Sequence, residues 1–309
     1  MYIFSAIIIT LVLIILLGAY IAFKITFASE RKENQNLYRG LTGEIDEVKS
    51  QRRKLIERIA DIPFESISIK SYDGLTLHAR YYHVKDGAPL AIQFHGYKSM
   101  SLRDFSGAGY ECIKREHNLI LVDQRAHGKS GGRAITFGAK EKRDVKAWID
   151  YALARFGGDT KIILYGMSMG AGTVLMASES GLPENIVGIV ADCPFSSAKE
   201  IIKKVIFDKG LPANLLYPFV RIGALIYGGF DPNRASPASS VKNTDIPILL
   251  IHGDADNFVP CSMSENISKS GKTVTYIKIK NATHGLSYIY GYDDYMSALD
   301  SFLKENLGE

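Results

Sequence analysis

A serine hydroxyl attacks a carbonyl well only beside a base, and an imidazole is a good base only when a carboxylate fixes its tautomer and steadies its cation. This chain carries all three groups. Ser168 is the centre of Gly166-Met167-Ser168-Met169-Gly170, a G-x-S-x-G pentapeptide. Carboxylates follow in His252-Gly253-Asp254-Ala255-Asp256, and an imidazole in Lys280-Asn281-Ala282-Thr283-His284-Gly285. The chemistry such a set performs is acyl transfer, in the chain order serine, aspartate, histidine. Which aspartate serves, Asp254 or Asp256, is open at this level. The pentapeptide lacks the lysine of a phosphate-binding loop, which argues against nucleotide hydrolysis.

Those residues need elements that hold them. Lys161 to Tyr165 is a short apolar run, expected as a buried strand, and Ala171 to Glu179 reads as a helix. A sharp strand-to-helix turn strains the middle residue, and the helix aims its first amides at negative charge forming there. The acid and base segments each follow an apolar run, Ile246–Ile251 and Val274–Ile279. Earlier, Phe64–Lys70 and Leu75–Tyr82 alternate around Asp73-Gly74, a hairpin signal. Leu90–Phe94, Leu119–Val122 and Ile186–Ala191 complete the expected strands, with helices expected at Leu102–Glu116, Ala139–Phe156, Ser262–Ser270 and Tyr292–Asn306. Apolar strands alternating with helices predict a mostly parallel sheet covered on both faces, with antiparallel strands at the N-terminal edge. Residues 195–240 hold no strand signal and four of the ten prolines, with many Leu, Ile, Tyr and Phe side chains. They read as a helical insertion placed to cover a pocket, whose apolar residues serve either an acyl group or packing onto the domain.

Residues 1–23 have no charged side chain, and Ile3–Phe23 is long enough to cross about 30 Å of hydrocarbon as a helix. No Lys or Arg precedes the run and no clear A-x-A site follows it, which disfavours a cleaved signal. Lys24, Arg31, Lys32 and Arg39 follow it, with Glu30 and Glu33 among them, so the positive-inside rule puts the rest of the chain in the cytoplasm. The expected organisation is an anchor at 1–23, a charged linker at 24–62 with an amphipathic helix at Glu44–Ile59, and a folded domain at 63–309. On that plan the linker is a tether, and a chain beginning at Glu30 would be a soluble enzyme with unchanged turnover of a short ester. The net charge of +4 is small, and no basic face suggests nucleic acid. Cys112, Cys193 and Cys261 show no metal or disulfide spacing and read as small buried residues. No cofactor or metal motif is present.

In combination these residues resemble the α/β-hydrolase superfamily, and within it serine hydrolases of the monoacylglycerol lipase-like and serine aminopeptidase-like group. The resemblance covers about residues 64–306. It rests on His95-Gly96 after a strand, Asp123-Gln124-Arg125-Ala126-His127-Gly128-Lys129-Ser130, the Ser168 pentapeptide, the H-G-x-x-D ending at Asp256, and His284-Gly285. The family form usually has Gly where Ala126 stands. The resemblance implies Ser168 as nucleophile, Asp256 as acid with Asp254 as rival, His284 as base, and the backbone N–H groups of Tyr97 and Met169 as oxyanion hole. Together with the anchor read from residues 1–23, it implies a membrane-anchored esterase acting on a small-molecule or lipid ester without a cofactor. The alternatives are an aminopeptidase-type enzyme, with Glu200 or Asp208 to hold an amine, or a non-catalytic binding module of the same fold. His95 and His127 are expected to hold turns, His252 to pack under the acid loop, and His78, His83 and His117 to be solvated.

Overall fold

The computed structural model describes residues 2–29, 37–38 and 45–308. Eight strands form one sheet: β1 (Glu65–Lys70), β2 (Thr76–Tyr82), β3 (Leu90–Phe94), β4 (Asn118–Asp123), β5 (Ile162–Met167), β6 (Ile186–Asp192), β7 (Ile248–Gly253) and β8 (Val274–Ile279). Their spatial order is β1-β2-β4-β3-β5-β6-β7-β8. β1 and β2 pair antiparallel with each other, β2 runs antiparallel to β4, and every pair from β4 to β8 is parallel. The central strand β3 is buried at every position, the polar Gln93 included, as coverage of the sheet on both faces demands.

Helices cover the two faces. Phe105 and its neighbours break the helix expected over 102–116 into α3 (Ser101–Asp104) and α4 (Ala108–Lys114). α5 (Glu141–Phe156) and α6 (Met169–Ala177) follow β4 and β5. Trp148, Ile149 and Val174 build the core on one face of the sheet, and Leu102, Cys112, Leu299 and Phe302 build it on the other. The chain leaves β3 for β4 on one side and returns through α5 to β5 on the other. Strand order therefore reverses between β3 and β5, and loops leaving those carboxyl ends diverge to open a crevice. Ser168 follows β5 there.

The insertion after β6 is helical, as expected: α7 (Ala198–Asp208), α8 (Ala213–Gly223), a π turn at Ala224–Gly228 and α9 (Pro237–Ser240). α10 (Ser262–Ser270), α11 (Ser287–Tyr290) and α12 (Tyr292–Leu307) complete the chain. Near the N-terminus, α2 (Asp46–Ala60) buries Val48, Ile56 and Ile59. The expected helix start at Glu44, and Glu30, Arg31, Lys32, Glu33, Arg39, Gly40 and Gly43, lie outside the described residues.

One expectation is overturned. α1 (Tyr2–Phe27) is no tethered anchor, because its last turns pack into the folded domain. Phe27 is fully buried and meets Phe137 and Phe230 edge-on, with ring centroids 5.8 and 5.1 Å away. Past the helix, Ala28 bridges Ala134, and the Ser29 N–H donates to the Arg133 carbonyl at 3.0 Å. Hydrophobic charge-free residues at 16–23 satisfy a packing interface as well as they satisfy lipid, so composition could not separate the two.

Candidate active site

The serine turn is built as its sequence requires. Ser168 sits at φ 54° and ψ −114°, outside the ordinary regions for a residue with a side chain, at a cost of about 1–3 kcal/mol. Two glycines make the turn possible. A Cβ on Gly166 would lie 2.4 Å from the Ala171 backbone, and one on Gly170 would lie 1.7 Å from the Phe94 carbonyl oxygen. The Ser168 N–H donates to the Asp192 carbonyl at 2.8 Å, fixing the turn to the end of β6.

The structure brings Ser168, His284 and Asp256 together from three strand ends. His284 Nε2 stands 2.9 Å from Ser168 Oγ, and His284 Nδ1 stands 2.6 Å from Asp256 Oδ2. Asp256 Oδ1 accepts the N–H groups of Phe258 and Val259 at 2.9 and 2.8 Å. Burial alone would raise its pKa, but hydrogen bonds from His252 and His284 hold the carboxyl well below the usual carboxylate range. Asp254 is elsewhere, accepting the Asn281 N–H at 2.6 Å.

The loop after β3 lies against the serine. A Cβ on Gly96 would be 3.4 Å from that of Ser168. Four contacts hold the loop. The Gly96 N–H donates to Asp104 Oδ2 at 2.8 Å, and the Lys98 N–H donates to His127 Nε2 at 3.0 Å. His95 Nδ1 bonds to the Gly96 carbonyl at 2.8 Å, and the Tyr97 hydroxyl donates to the Thr26 carbonyl of α1 at 2.8 Å. Burial depresses both imidazoles, His127 to about 3, so they remain neutral and His127 keeps a lone pair for the Lys98 amide. Asp104, the role of His127 at this loop, and the Tyr97–Thr26 bond carried no sequence signal, because their partners are 8, 29 and 71 residues away.

The remaining expectations sort cleanly. His252 is fully buried beneath the acid loop, with Nδ1 2.6 Å from Ser264 Oγ and Nε2 3.1 Å from Asp256 Oδ2. His83 is exposed and His78 half-buried, but His117 is buried, against expectation, where the end of α4 turns back onto β4. Cys261 is half-exposed, unlike Cys112 and Cys193. Cys193, Asp256 and His284 bring ligand-type atoms within 4.8 Å of one another. Burial and the Asp192 and Asp256 charges push the Cys193 thiol well above its ordinary pKa, so it stays a neutral thiol rather than a metal-binding thiolate. Ala126 adopts φ 63° where the resembling family uses Gly, so this chain keeps the left-handed turn without the residue that makes it easy. Arg125 anchors that loop, with Nε and Nη2 each 2.6 Å from Asp144 and Nη1 2.9 Å from Asp73.

Known proteins agree with this architecture. A family model described as alpha/beta hydrolase fold matches residues 92–221, from β3 through the serine turn into the insertion. The chain has the α/β-hydrolase fold. Among solved structures, this chain resembles the Pyrococcus furiosus esterase Pf2001 at 23% identity, with a TM-score of 0.61, over 80% of this chain and 93% of that one. Est1E from Butyrivibrio proteoclasticus, solved with ferulic acid bound, matches at 23% identity and TM-score 0.60 over 79% of this chain and all of that one. Among curated relatives, YqkD of Bacillus subtilis is 28% identical over 189 residues, and YfhR of Salmonella typhi 27% over 218; both are described as uncharacterized. The alignment with YqkD spans 60% of this chain and 62% of that protein.

Proposed function

We propose that this α/β-hydrolase is a membrane-anchored serine hydrolase that cleaves carboxylic esters through an acyl-enzyme. The observation that carries the reading is the continuous hydrogen-bonded line from Ser168 through His284 to Asp256, at 2.9 and 2.6 Å. Ser168 Oγ attacks the ester carbonyl as His284 Nε2 takes its proton. Negative charge on the carbonyl oxygen falls between the Tyr97 and Met169 amides, where each donor contributes roughly 3–4 kcal/mol to transition-state stability. His284 returns the proton to the departing alcohol. A water then repeats the sequence on the acyl-enzyme, releasing the acid and Ser168.

The membrane part of the reading rests on α1. Its 26 residues extend about 39 Å, and large apolar side chains from Tyr2 to Ile15 are exposed. Loss of α1 as a cleaved signal would strip Phe23 and Phe27 from the domain core, which favours retention. The ester reading is favoured over an aminopeptidase by the insertion's carboxylates. Glu200 accepts from the Ser196 hydroxyl just before α7 and Asp208 pairs with Lys204 within it, so both are already engaged. A fluorophosphonate probe should label the wild-type chain in detergent and leave Ser168→Ala unlabelled, with ester hydrolysis lost in parallel. An unlabelled wild-type chain would favour the binding-module reading, and wild-type turnover by Ser168→Ala would remove the nucleophile.

A further inference from the structure

The insertion's apolar residues divide into two sets. Tyr217, Val220 and Phe230 are buried against Phe27, Phe137 and Met169. Leu215, Leu225 and Ile226 are 65%, 46% and 54% exposed. Packing onto the domain explains the first set and leaves the second without a role.

Tyr227, which directly follows Leu225 and Ile226, borders α1 well inside its charge-free stretch. The Tyr227 ring stands edge-on to Tyr20 at 5.3 Å, and its hydroxyl donates to the Leu16 carbonyl at 3.4 Å. Leu16 is seven residues before Phe23 (23 minus 16), or about 10 Å along the helix. Contact here is close. A Cβ on Gly223 would lie 2.3 Å from the Ala19 carbonyl oxygen, and one on Gly18 would lie 3.1 Å from the Phe219 ring. α8 packs along this part of α1, with Gly223 against Ala19 and Phe219 against Gly18. If Ile3–Phe23 lies in hydrocarbon, the part of the insertion fastened to Leu16–Phe23 lies at the same depth. Its charge pattern permits this. From Ala213 to Gly228 the only charged side chain is Arg221, held by Asp231 through two hydrogen bonds of 3.0 and 2.8 Å.

We infer that the insertion face carrying Leu215, Leu225, Ile226 and Tyr227 is itself seated in the lipid bilayer beside α1. This rests on the reading of α1 as a membrane span. The same insertion core holds Met169, next to the serine, so the reaction centre stands one packed layer from lipid. That arrangement suits an ester presented by the membrane. Exposed apolar area continuous with a spanning helix is the form an interfacial contact takes.

The test uses the full chain in phosphatidylcholine vesicles whose acyl chains carry bromine, a short-range quencher of tryptophan emission. Trp148 is the sole native tryptophan and is fully buried in α5, so it supplies a constant background. Leu225→Trp and Leu215→Trp report on the face, Leu11→Trp reports on the span, and Phe64→Trp, before β1 at the opposite end of the sheet, is the soluble control. The added emission of Leu225→Trp and Leu215→Trp should be mostly lost, as should that of Leu11→Trp, while Phe64→Trp keeps its own. Quenching of Leu11→Trp without either face variant overturns the inference and leaves the anchor intact; the face would then be covered by something else, such as a second copy. Failure to quench Leu11→Trp would overturn the membrane reading itself.

Discussion

Asp256 serves two imidazoles at once. Its Oδ2 lies 2.6 Å from His284 Nδ1 and 3.1 Å from His252 Nε2, while Oδ1 takes two backbone amides. An amide in place of the carboxylate would turn a donor toward His284 Nδ1 and favour the wrong tautomer. Asp256→Asn is therefore expected to lower kcat/KM by about 10⁴-fold, with Asp254→Asn close to wild type. The reverse ranking would hand the acid role to Asp254. A second buried carboxyl, Asp192, offers a stability test. Burial raises it to about 6 from an ordinary 3.8, while a Ser287 hydrogen bond at 3.2 Å opposes that. Below the ordinary value both folded and unfolded chains hold the proton. From there up through about pH 6 only the folded chain holds it, so Asp192 costs stability as pH rises. Asp192→Asn removes that cost and should gain relative to wild type from pH 4 to pH 8, by at most about 3 kcal/mol in denaturant titrations. A difference independent of pH would mean that Asp192 is charged in the fold throughout.

Each element holding the site does so through a contact far away in sequence, and the loop after β3 is the clearest case. Its Tyr97 side chain is tied to Thr26, and its ring lies 5.1 Å from Phe137. Tyr97→Phe keeps the ring and the backbone amide but frees the loop from α1. The hydrogen bond lost is one of the four contacts that hold the loop and is worth roughly 1 kcal/mol, so kcat should fall up to about tenfold while KM for a short ester holds. A rise in KM alone would place Tyr97 in substrate binding instead. The strands were legible because burial on both faces leaves continuous apolar runs, and β3, α10 and β8 have their expected limits. The serine turn and the order of acid and base were legible because each follows a strand directly. The supports were not. Nothing local marks Asp104 as an acceptor for Gly96, His127 as an acceptor for Lys98, or Phe27 as a core residue. The insertion's apolar side chains gave one composition for two destinations, and only their exposures separate them.

At the scale of the molecule, α1 joins the membrane question to the stability of the folded domain. Phe23 and Phe27 sit in a cluster with Phe137, Met169, Phe195 and Phe230, and the strand-like contact at Ala28 and Ala134 continues it. The Ser29 hydroxyl also donates to the Ala126 carbonyl at 2.5 Å, in the loop that carries His127. A chain beginning at Glu30 loses all of these at once, together with the Thr26 carbonyl under Tyr97. It is expected to melt well below the full chain in detergent and to turn over p-nitrophenyl butyrate more slowly than Tyr97→Phe does. That outcome reverses what a flexible tether implies, since a tether contributes only effective concentration for membrane-borne substrate. Truncation alone cannot separate lost packing from lost membrane contact. Phe27→Ala in the full chain keeps the span and removes only the buried ring. Burial at that position makes the expected loss about 3–5 kcal/mol, and hydrolysis of the soluble ester should fall with it. If Phe27→Ala melts and reacts as wild type while the truncated chain is equally active, the domain is independent of α1 and the helix serves only as an address.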